Sequence, residues 1–155
     1  MLPLLFASLA LFVNVLQSPP ASRPDFSGSW TMERSRSQST ESATIEIKQS
    51  ATAIIIVTHS AGETSTRTYP VESSAHSASE TITAGHTHAS WDGAKLVTEA
   101  VTEINGQAVS YRQMRFLNAS GTEMTVETIT IVQHGYGIKD GKNYSTTKDV
   151  YVRAK

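Results

Sequence analysis

Asp25-Phe26-Ser27-Gly28-Ser29-Trp30-Thr31 is the stretch on which the fold turns. An apolar leader and a short linker precede it, and strand and turn signals fill the rest of the chain. A glycine two residues before a tryptophan, where the first strand opens, suits a position where the backbone passes close to a neighbour. The indole that follows is large and flat enough to plug the end of a barrel, and its N–H needs an acceptor.

Downstream, Ala43-Thr44-Ile45-Glu46-Ile47-Lys48 alternates apolar and polar residues, the period-two signature of a half-buried strand. Ala53–Val57 is continuously apolar and reads as a strand covered on both faces. Further strands are predicted at Glu63–Val71, Thr81–Trp91, Ala94–Ile104, Gln107–Leu117, Thr122–Val132 and Tyr144–Arg153, with Gly28–Glu33 as the first. Asp92-Gly93 and Asn105-Gly106 are hairpin turns between them, and Asn105-Gly106 is the strongest short-range signal in the chain. Inside Thr122–Val132 the apolar parity moves from Met124 and Val126 to Ile129 and Ile131, which predicts a bulge near Glu127–Thr128. No segment carries a helical stripe of ten residues. Serial hairpins at even spacing predict an all-β chain folded as an up-and-down antiparallel barrel of about 8–10 strands.

Upstream, Leu2–Leu16 is apolar apart from Ser8 and Asn14 and contains no Lys or Arg. It is shorter than the roughly 20 residues of a membrane span and reads as a secretory signal core. The expected organisation is a signal peptide over 1–18, a linker over 19–24 and one domain over 25–155, secreted or periplasmic, with no membrane span in the mature chain. The chain has 155 residues, no cysteine and a formal net charge of −1. Disulfides and thiolate metal sites are thereby excluded, and no basic field is present to recruit nucleic acid.

Gly28-Ser29-Trp30 resembles the Gly-x-Trp signature of lipocalins and their calycin relatives. Trp91-Asp92-Gly93-Ala94-Lys95-Leu96 is similar to a hairpin of fatty-acid-binding-protein barrels, and Asp149-Val150-Tyr151-Val152-Arg153 to calycin last strands. More broadly, the chain resembles uncharacterised lipocalin-like secreted proteins of bacteria. The resemblance implies a small barrel holding an apolar or amphipathic molecule, with Arg153 packed over Trp30 as part of a closure that also uses Gly28. The sequence departs from the intracellular fatty-acid binders in its last strand, where Tyr151 precedes Arg153 rather than following an arginine. It also lacks room for two helices after the first strand, so their carboxylate clamp does not carry over.

Cavity candidates are Tyr69, Trp91, Tyr111, Arg112 and Tyr151. Arg112 and Arg115 face opposite sides of one strand, so one of them can meet an anionic head group inside. The competing reading sets both outside, paired with Glu99 and Glu127. His86 and His88 share a face and form a weak metal candidate, with His59, His76 or His134 as a third ligand. Because Trp91 has the opposite parity, an inward Trp91 turns both histidines to solvent. No cofactor is called for.

No nucleophile–base arrangement is legible. Glu99 and Glu103 lie roughly 13 Å apart along a strand, too far for a glycosidase pair. An enzyme is therefore not expected. The leading expectation is an exported barrel binding a small, partly apolar molecule. The alternative is a solid-core structural or interaction module of the cell envelope, and a cavity of roughly 300 Å³ or more separates the two.

Overall fold

A computed structural model describes residues 23–72, 84–132 and 143–155. Nine strands form one sheet: β1 (Gly28–Met32), β2 (Ala43–Gln49), β3 (Ala53–Ser60), β4 (Glu63–Pro70), β5 (Thr87–Asp92), β6 (Lys95–Ile104), β7 (Gln107–Leu117), β8 (Glu123–Val132) and β9 (Tyr144–Arg153). Their order is β4-β3-β2-β1-β9-β8-β7-β6-β5, so the last strand pairs with the first and the sheet curls into an up-and-down antiparallel barrel. One short 3₁₀ turn, Arg34–Arg36, follows β1. No helix among the described residues is long and apolar enough to cross a membrane.

The turns obey local backbone chemistry. Asn105-Gly106 and Ala61-Gly62 each place two successive residues at positive φ, as a two-residue hairpin of matching twist requires. All eight pairings are antiparallel. Direction therefore alternates along the sheet, and the two ends of a nine-strand series run the same way. Antiparallel closure of β4 on β5 is thus impossible. Among the described residues they meet through one parallel bridge, Val71–Ala89, beside a Thr87 Oγ1 to Thr68 carbonyl hydrogen bond of 2.8 Å.

The core gathers at the end where β1 begins and β9 stops. Phe26, Trp30, Ile54, Leu96 and Met124 are fully buried there. Two strand expectations need correction. β3 is covered on one face only: Ile54 and Ile56 are buried, whereas Ile55 and Val57 are half-buried on the outer side. β8 has no bulge, because its pairing with β7 and β9 runs without a break from Glu123 to Val132. Ile129 and Ile131 consequently face outward, and Thr128 and Thr130 take the inner side that Met124 and Val126 occupy further along. Within the predicted Thr81–Trp91 strand, Ala84-Gly85 is a turn, while Thr81–Thr83 and the Gly135–Gly141 loop lie outside the described residues.

Candidate functional site

At the sealed end, Trp30 donates its indole N–H to the Phe26 carbonyl at 2.9 Å. The Arg153 guanidinium lies over the Trp30 ring, 4.2 Å from its centroid. The same guanidinium donates to the carbonyls of Ser27, Gly121 (3.0 Å) and Asp25 (3.1 Å). It therefore ties the lead-in to β1 to the β7–β8 turn. Gly28 sits at φ +121°, and a Cβ there would come within 3.0 Å of Arg153 Nη1. The glycine thus answers both a backbone conformation and the space the guanidinium takes. Trp91 belongs to this end too. Its ring is 6.0 Å from Phe26 and 5.4 Å from the Arg23 guanidinium, and it does not line the cavity below.

Beyond this plug the barrel holds a cavity of about 280 Å³. It is not solid, and its volume lies just under the roughly 300 Å³ from which small-molecule pockets usually start. Ile45, Ile56 and Val126 supply an apolar wall. Tyr69, Tyr111 and Tyr151 project from β4, β7 and β9 around the same space, so three of the cavity candidates come together. Arg67, Ser65 and Thr58 face it from β4 and β3. Among the described residues, two arginines line the cavity and no carboxylate does.

The inward cation on β7 is Arg115, not Arg112. Neighbours in a strand face opposite sides, so an inward Tyr111 carries Gln113 and Arg115 inward and Arg112 outward. Arg112 is half exposed on the outer wall, with Nε 3.3 Å from Glu99. Arg115 is only 3 % exposed. It donates to Thr98 Oγ1 (2.7 Å) and Gln113 Oε1 (2.5 Å), and its Nε has no hydrogen-bond partner among the described residues. Burial lowers its pKa, while the Tyr69 and Tyr151 phenols oppose that shift. A guanidinium nonetheless stays protonated at any physiological pH. Burial, helped by the charge of Asp149 and opposed by Arg115, pushes the Tyr151 phenol up to about 12. The Tyr151 phenol is therefore a neutral donor at neutral pH.

The histidine pair sits on the outer wall, ring centroids 5.5 Å apart, with His86 exposed and His88 buried. His88 Nε2 lies 3.2 Å from Glu99, which also meets Arg112. Among the described residues no three His, Asp or Glu side chains are grouped to hold a metal ion, and His76 and His134 lie outside those residues. Sequence reasoning missed Arg67, Gln113 and Thr98 as cavity-side groups. Only strand parity, once the register was fixed, could have found them.

Comparison with solved structures agrees with the fold. A mutant of the fluorescent protein UnaG is 13% identical and superposes with a TM-score of 0.50, over 84% of this chain and 96% of that one. Human cRBP IV (12% identical, 84% of this chain and 99% of that one, TM-score 0.43) and the REP1-NXSQ fatty acid transporter (12%, 83% and 96%, 0.40) are more distantly similar. No family model and no curated protein sequence matches the chain.

Proposed function

We propose that this barrel binds a small amphipathic anion, its acidic group on Arg115 and its apolar part against Ile45, Ile56 and Val126. The observation that carries this reading is Arg115: a buried cation with no carboxylate in its cavity and whose Nε has no hydrogen-bond partner among the described residues. Leaving such a charge unpaired in a low-dielectric interior is costly, and an anion supplies the missing partner. Tyr151 stays protonated and offers a further donor, and the Tyr69 side chain lines the same cavity. A guanidinium whose Nε–H has no partner among the described residues suits a planar carboxylate, while the cavity volume limits the apolar part to a small one.

The leader over 1–18 fits a chain exported before it meets its ligand, in a secreted or periplasmic setting. Calorimetric titration of the delipidated protein with a medium-chain carboxylic acid and with the alcohol of equal length tests the binding reading. The acid is expected to bind at least about tenfold more tightly, and Arg115→Met to erase that difference. Equal affinity for acid and alcohol, or no binding of either, would overturn it.

A further inference from the structure

We propose that the outer edge of β4 pairs antiparallel with β4 of a second copy of this chain, setting Glu63 of each copy opposite Arg67 of the other. Arg67 also lines the cavity, its guanidinium 5.6 Å from the Tyr111 ring, and pairing turns it from that ring toward the second copy. The starting point is the odd strand count: β5 runs parallel to β4 and joins it only near Thr68 and Val71, leaving the Glu63–Arg67 edge without a backbone partner among the described residues. All residues from Glu63 to Thr68 are exposed. Natural sheets blunt such edges with proline, charged side chains (lysine above all) or a bulge, but charges of opposite sign such as Glu63 and Arg67 attract across a two-fold axis. Here the first proline is Pro70, no lysine occurs in β4, and the β3–β4 register runs unbroken.

The register follows from two constraints. In a two-residue hairpin the residues flanking the loop form a hydrogen-bonded pair, here Ser60–Glu63. Glu63, Ser65 and Arg67 thus direct their backbone groups to β3, and Thr64, Thr66 and Thr68 direct theirs outward. The Thr68 carbonyl, taken by Thr87 Oγ1 across the seam, agrees with that alternation. A two-fold partner must therefore bond through even-numbered residues. Pairing Thr64 with Thr66 of the second copy satisfies this and makes about four backbone hydrogen bonds. In that register Glu63 faces Arg67 in a non-hydrogen-bonded pair, where side chains approach most closely. Sliding by two residues either way sets Arg67 against Ser65 or Ala61 and loses both ion pairs. The two-fold axis makes each favourable contact twice.

So short a ladder predicts a weak dimer, seen by sedimentation of the full chain from micromolar to millimolar concentration. Glu63→Arg places like charges opposite each other twice and is expected to raise the dimer Kd at least about tenfold. Adding Arg67→Glu to it, which exchanges the two charges, restores dimerisation. Thr66→Pro removes an outward N–H while leaving the β3 ladder whole, and yields a monomer with unchanged far-ultraviolet dichroism. A wild-type chain monomeric throughout, or a charge exchange that does not recover the dimer, would overturn the proposal.

Discussion

Arg115 is the side chain whose removal separates stability from binding. A buried ion without a counter-ion costs stability, so Arg115→Met is expected to leave the urea midpoint unchanged or raised, even though Thr98 and Gln113 lose a donor. Affinity for a carboxylate is expected to fall at least about tenfold in the same variant. A large loss of stability with affinity intact would reverse that assignment. Tyr151 gives a pH signature. Its folded pKa is raised, from the usual 10 to about 12, so its contribution is complete below pH 10 and disappears as pH rises through 12. Two pKa units correspond to about 3 kcal/mol. Urea titrations between pH 9 and pH 12 should show that alkaline loss in the wild type and not in Tyr151→Phe. Much of the site was legible in single residues, because the tyrosines of β4, β7 and β9 converge as their strands do. Taking Tyr111 and Arg112 together as cavity residues was inconsistent with strand parity. An inward Tyr111 already implies Arg115, and only the register between β6, β7 and β8 fixes which parity points in.

Among the elements, β8 is where sequence pattern and pairing part. Hydrophobic alternation alone predicts a bulge there, since two isoleucines follow Met124 and Val126 out of phase. The unbroken pairing instead turns Ile129 and Ile131 outward, and Ile131 sits 38 % exposed beside Tyr144. Apolar residues mark an inward face only while that face lies against the core. Toward the mouth the inner side passes to Thr128 and Thr130, and the pattern loses its meaning. Val126→Thr is therefore expected to cost about 1–3 kcal/mol by burying an extra hydroxyl. Ile129→Thr should stay within about 0.5 kcal/mol in the same urea titration. Similar losses for both would restore the bulge. The sealed end was easier to read, because glycine, tryptophan and a terminal arginine each have few structural uses. Gly28, Trp30 and Arg153 meet there as one contact, and Trp30→Ala is expected to cost about 3–5 kcal/mol in that assay.

Across the whole molecule, the nine-strand count has a consequence that no single strand reveals. Serial hairpins in the sequence imply antiparallel neighbours throughout, and the strand order follows almost directly. That β4 and β5 must run parallel is hidden until the strands are counted around the barrel, since local signals carry no information about closure. Parallel neighbours joined by one bridge hold each other less firmly than β8 and β9, paired over nine residues each. Stability should therefore be graded from the β1–β9–β8 wall to the β4–β5 seam. Amide hydrogen exchange in dilute protein provides the measurement. Thr64 and Thr66, whose N–H groups face the seam, are expected to exchange fastest within β4, whereas Ser65 and Arg67, bonded to β3, exchange more slowly. Amides of Met124 and Val126 in β8 should open only with global unfolding. Uniform protection around the barrel would mean that β4 and β5 are joined as tightly as the rest, and would remove the free edge on which pairing with a second copy depends.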